Sequence, residues 1–129
     1  MNMEEKNFCD LAEMTIRKLL EPQNGKTQKL VTTSKIRNLL AMTADIYNEV
    51  INLNGDRLPP ETTERINYLK VRFIYEAGRE PAVKRLVETA EIVKYLDEIR
   101  GSKKRYIWFS RYMEALVAYR KFLGDRDED

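Results

Sequence analysis

Apolar side chains recur at three- and four-residue spacings along nearly the whole chain, and no segment sustains the two-residue alternation of a half-buried strand. That periodicity restricts the chain to an all-α fold. It predicts about five helices. The first spans about residues 4–20, with Phe8, Leu11, Ala12, Thr15, Ile16 and Leu19 on one face, and stops before Pro22 and Gly25. The second starts after Thr32 or Thr33, either of which can cap it, and turns Ile36, Leu39, Leu40, Thr43, Tyr47 and Val50 inward before Asn54-Gly55 ends it. Pro59-Pro60-Glu61 opens the third, which runs to about Ala77. Gly78 and Pro81 separate it from a fourth that continues to about Ile99 along Val83, Leu86, Val87, Ala90, Val93 and Leu96. Ser102 caps the fifth, which carries Trp108, Phe109, Tyr112, Leu116, Tyr119 and Leu123. Connections this short pack successive helices antiparallel into a compact bundle.

At 129 residues, the chain has the size of one domain with one core, so residues 1–129 read as a single helical domain closed by an acidic, disordered tail over 124–129. No stretch reaches the roughly 20 apolar residues needed to cross a bilayer, and the start lacks the layout of a secretion signal, so a cytoplasmic protein without membrane contact is expected. With no histidine and one cysteine, Cys9, neither a structural disulfide nor a Cys/His zinc site can form. The commonest general base is missing and Cys9 lacks an activating partner, which argues against an enzyme; no cofactor or metal is expected. Gly25-Lys26-Thr27 ends like a phosphate-binding loop. However, Leu20 stands where that motif needs a glycine, and a helix leads in where it needs a strand.

The net charge of +2 hides segregation. Residues 26–40 carry four basic and no acidic side chains, residues 65–85 six against two, and residues 100–121 seven against one, with acidic stretches between. In the first island, Lys29 lies in a loop, and Lys35 and Arg37 lie in the opening turns of a helix, where cations offend the dipole but unpaired amides attract phosphate. In the second, Tyr68, Arg72, Tyr75 and Arg79 share one face opposite the core stripe, with Lys70 at the edge of the core face. Arginine clamps phosphate and tyrosine stacks on bases, so the stripe fits sequence-tolerant binding of RNA or single strands. It equally fits tyrosines packed under a neighbouring helix and arginines paired with Glu76 or distant acids. In the third island the loop charges Arg100, Lys103, Lys104 and Arg105 are better candidates than the aromatics of the last helix, which read as core; Arg111, Arg120 and Lys121 flank that helix's stripe.

Three strings go further: TTSKIRNLL from Thr32, YLKVRFIYEAGR from Tyr68 and FSRYMEALVAYRKF from Phe109. Their order and spacing resemble the small subunit of the type III-A CRISPR interference (Csm) complex, across about residues 20–123. The resemblance leaves out the first helix, variable in that family, and the tail. It implies a non-catalytic subunit stacked in several copies as a filament beside the backbone subunit, with the large subunit in the same complex. Guide RNA and target RNA are the implied ligands. Since guide pairing reads the sequence, such a subunit needs only backbone contacts and stacking. The family's basic positions fall on Lys35, Arg37, Lys70, Arg72 and Arg79, and more weakly Arg111. The expected RNA-binding set is therefore Lys29, Lys35, Arg37, Lys70, Arg72, Arg79 and Arg111, with Tyr68 and Tyr75 as stacking residues. The rival class is a helical protein–protein scaffold whose basic islands meet acidic faces of neighbouring copies.

Overall fold

Hydrophobic burial at helical spacing produces six helices in the computed structural model, which describes residues 7–124: α1 (Phe8–Leu20), α2 (Thr33–Val50), α3 (Pro60–Arg79), α4 (Pro81–Thr89), α5 (Ile92–Ile99) and α6 (Lys103–Leu123). Among the described residues there is no strand, and no helix is long and apolar enough to cross a membrane. The expected opening turn at residues 4–6 and the acidic tail beyond Gly124 lie outside the described residues. The caps follow the sequence signals. Thr32 Oγ1 accepts the Lys35 amide at 3.1 Å, Ser102 Oγ accepts that of Arg105 at 3.2 Å, and Pro60 opens α3.

The expected fourth helix is two. Ala90 ends α4 and Glu91 takes the left-handed conformation, φ 55°, before α5 begins. A continuous helix would bury Val93; the break turns the following residues so that Ile92, Tyr95, Leu96 and Ile99 reach the core and Val93 is left half-buried. The Tyr112 hydroxyl, from α6, donates to the Ala90 carbonyl at 2.8 Å, so the acceptor at the break has a partner.

The last helix is the axis of the bundle. Tyr106, Phe109, Ser110, Tyr112, Met113, Ala115, Leu116 and Arg120 are all buried, covering well over half its circumference, and it packs against α1, α2 and α5. It runs antiparallel to α2: Lys103 Nζ donates to the Leu53 carbonyl, the Tyr106 hydroxyl to that of Thr43, and Arg120 Nε to that of Val31. α2 and α3 are likewise antiparallel, tied at one end by Glu49 to Thr62 and Arg65 and at the other by Lys35 to Glu76 and Glu80. Burial pushes the Tyr106 and Tyr112 phenols far above their ordinary value, so both serve only as neutral hydrogen-bonding groups.

Glu91→Gly relieves the left-handed strain and should raise the stability of the fold by about 0.5 to 1 kcal/mol in urea unfolding, whereas a β-branched residue there should lower it. The Asp56 carboxyl, bonded first by the Lys104 amide and then by the Ser102 hydroxyl, and that of Glu49, bonded first by Thr62 and then by Arg65, are both held below the usual carboxylate range. Their contribution is full above that range and disappears as pH falls through the depressed values. Melting temperature should therefore drop on acidification, and drop less steeply in Asp56→Asn.

Candidate nucleic-acid interface

The basic loop before α2 is shaped by backbone chemistry. Asn24 and Gly25 both have positive φ, 51° and 77°, and Gln23 and Lys26 exchange two backbone hydrogen bonds, 2.7 and 2.9 Å. This is the two-residue turn that Asn-Gly favours, so Gly25-Lys26-Thr27 belongs to a tight reversal and not to a phosphate-binding loop. Two arginines hold the rest. Arg85, on α4, donates to the Leu19 and Lys29 carbonyls, both at 3.1 Å, and buried Arg120 donates to the Val31 carbonyl at 2.6 Å. The sequence pattern placed Arg120 beside the core stripe; at 2% exposure it lies within the core.

The loop thus delivers Lys35 to the C-terminal part of α3. Its ammonium lies 3.2 Å from Glu76 and 3.0 Å from Glu80, and these two carboxylates, Glu80 foremost, raise its pKa. Glu76 is 8% exposed, and it also faces Arg79 at 3.7 Å and Arg72 at 3.9 Å. One buried acid therefore gathers three cations from two helices. The Arg79 guanidinium lies 5.6 Å over the Tyr75 ring, and Tyr75 and Tyr68 are 59% and 63% exposed. Of the packed alternative, one part holds and one does not: the arginines pair with Glu76, but the tyrosines are exposed and not packed under another helix. Val71 and Ile74 are exposed beside them, an apolar component the sequence reading missed. An open cleft of about 390 Å³ between α2 and α3, lined by Met42, Asp45, Arg65, Tyr68 and Arg72 among others, continues this face.

The other expected residues lie apart from this cluster. Lys29 and Arg37 are exposed and make no ion pair among the described residues. Arg37 follows Lys35 by two residues, roughly 200° around the helix, and so points elsewhere. Lys70 pairs with Asp97 of α5 at 2.7 Å. Arg111 pairs with Glu114 at 3.1 Å and donates to the Tyr47 hydroxyl at 3.0 Å. In the third island, Lys103 and Arg105 are used as staples, donating to the Leu53 and Glu98 carbonyls. Of the aromatics on α6, Phe109 and Tyr112 are buried while Trp108 and Tyr119 are half-buried against the core. Among the described residues no group of acids or cysteine has the arrangement to hold a metal ion. Glu76 and Arg85 gained their importance only in three dimensions. The spacing of Glu76 from Arg72 (i, i+4) and from Arg79 (i, i+3) signalled pairing, but nothing in the sequence linked Arg85 to a loop 56 residues away.

The exposure of the tyrosines has a direct consequence. Tyr68→Ala and Tyr75→Ala should each change unfolding free energy by no more than about 0.5 kcal/mol, whereas Phe73→Ala, one turn away and fully buried, should cost about 3 to 5 kcal/mol.

The comparisons with known proteins agree with one another. The Csm2 Type III-A family model matches residues 12–126, a span that contains all three strings. The CRISPR system Cms protein Csm2 of Mycobacterium tuberculosis is 38% identical over 128 residues, 99% of this chain and 100% of the relative. Its namesake in Streptococcus thermophilus is 44% identical over 123 residues, 95% of this chain and 96% of the relative. That of Enterococcus italicus is 41% identical over 99 residues, 74% and 71% of the two chains. An all-helical bundle whose sequence matches this family model and the Mycobacterium tuberculosis and Streptococcus thermophilus relatives over nearly its whole length belongs to the Csm2 family, the small subunit of the type III-A CRISPR complex.

Proposed function

We propose that the chain is a non-catalytic RNA-binding subunit of the type III-A effector complex, acting in the cytoplasm in defence against foreign nucleic acid. Several copies stack beside the guide-bearing backbone subunit and alongside the large subunit, and together they hold guide and target RNA through contacts that read no sequence. The observation that carries this reading is the convergence of Lys35, Arg72 and Arg79 on Glu76, next to the exposed rings of Tyr68 and Tyr75. Such a face offers charged donors for phosphate and flat rings for bases, which suffices where guide pairing supplies specificity. Lys29, at the edge of the neighbouring cleft between the loop and α4, extends the positive track. Arg37, Lys70 and Arg111 serve as outlying contacts made by other faces of a subunit surrounded by partners.

A scaffold reading without RNA contact draws on one observation, the exposed Val71 and Ile74 on α3, which are apolar and of no use to a phosphate. The two readings separate in the assembled complex. Arg72→Ala combined with Arg79→Ala leaves Lys35 to compensate Glu76, so helicity and melting temperature should stay nearly unchanged. RNA association, followed by fluorescence anisotropy of a labelled strand, should weaken, with the salt dependence of log affinity falling by about 0.7 for each phosphate no longer neutralised. Unchanged affinity and slope would favour the scaffold.

A further inference from the structure

Of the acids on this face, two meet Lys35, and they differ in one respect. Glu76 is 8% exposed and sits beneath the cations; the Glu80 side chain is 46% exposed and meets Lys35 from outside. Like charges brought this close repel, and the repulsion is strongest where water is thin. With its carboxylate under the cluster, Glu76 offsets that repulsion. It does so without occupying the arginines' donors: at 3.7 and 3.9 Å, Arg79 and Arg72 are held by charge but lie beyond hydrogen-bonding distance. Their side chains remain 56% and 46% exposed, with N–H groups available to a ligand on the outer side. Tyr75 adds a second restraint on Arg79 through its ring face.

We infer that Glu76 is a positioning residue for phosphate binding: its buried carboxylate holds Lys35, Arg72 and Arg79 in one array, and Glu80 is the surface counter-ion that an arriving phosphate displaces from Lys35. The inference rests on the RNA-binding reading above and adds to it the cause of the array. Three cations against one buried acid leave a charge of +2 facing outward, reduced to +1 while Glu80 occupies Lys35. A phosphate oxygen offers Lys35 the same charge-assisted hydrogen bond and offers the two guanidiniums further acceptors.

The consequence runs against simple charge counting. Removing an acid beside an anion site ordinarily strengthens binding, and Glu80→Gln should do so, about twofold, the size of a surface ion pair. Glu76→Gln should instead weaken binding about tenfold, the size seen when a group that orients a ligand-binding side chain is removed, and should lower the salt slope as the cations separate. Glu76→Asp retains the charge but withdraws it by one methylene, and should fall between wild type and Glu76→Gln, so the inference stays testable if the glutamine variant does not fold. The measurement is the affinity of the assembled, guide-loaded complex for a labelled complementary RNA across a salt series, with thermal melting of each variant. Glu76→Gln that folds and binds as tightly as wild type or tighter would overturn the positioning role. So would Glu76→Asp equal to wild type. Lys35→Ala with Arg79→Ala, if it leaves affinity and slope unchanged, overturns the RNA reading itself; weakened binding in that variant beside unimpaired Glu76 variants overturns only the part assigned to Glu76.

Discussion

Everything in this molecule is arranged around the burial of α6. A helix that hides well over half its circumference cannot lie on a surface. It requires partners on several sides, and α1, α2 and α5 supply them. Tyr95, Trp108 and Tyr112 meet with ring centroids 5.2 to 5.4 Å apart, and Phe73 reaches Phe109 edge-on from α3. Each fully buried large side chain contributes about 1.5 to 3 kcal/mol. Buried phenols need acceptors, and those of Tyr106 and Tyr112 find them in the backbones of α2 and at the α4–α5 junction. The hydroxyls thus set where the surrounding helices lie along the axis, which nonspecific apolar contact would leave free.

From that registration the basic face follows. Antiparallel packing of α2 on α6, with Arg120 bonded to Val31, sets the level at which α2 begins. Antiparallel packing of α3 on α2 then brings the end of α3 to the start of α2, where Lys35 meets Glu76 and Glu80. The helix opens with no acidic residue in its first turn, and the two glutamates from α3 and its C-cap provide the negative charge that its N-terminus favours. Stability and the candidate interface therefore share residues.

Much of this architecture is visible in one dimension. The helical class, a threonine cap for α2, the Ser102 cap, the proline start of α3 and the alignment of Tyr68, Arg72, Tyr75 and Arg79 on one helix face are local properties, governed by spacing and by the hydrogen bonds a residue makes within a turn or two, whereas the exposure of that face depends on what packs around α3. The break at Glu91 is different. Ala90-Glu91-Ile92 contains neither glycine nor proline, and the left-handed residue is sustained by the burial of Ile92, Tyr95 and Ile99 together with a hydroxyl donated from 22 residues away. Tertiary packing overrode local preference there.

The all-helical class, the proline starts of α3 and α4 and the segregation of charge into islands are legible along the chain because each depends on neighbours within a few positions, whereas Gly78, read there as a stop, lies inside α3. Which charges act together was set by helix packing. Lys35 joined Arg72 and Arg79 because α2 and α3 run antiparallel across a 41-residue separation, while Lys70, Arg111, Lys103 and Arg105 were drawn into pairs and staples elsewhere. Charge acts through space over distances that chain order does not record, so one buried carboxylate, Glu76, became the centre of the face.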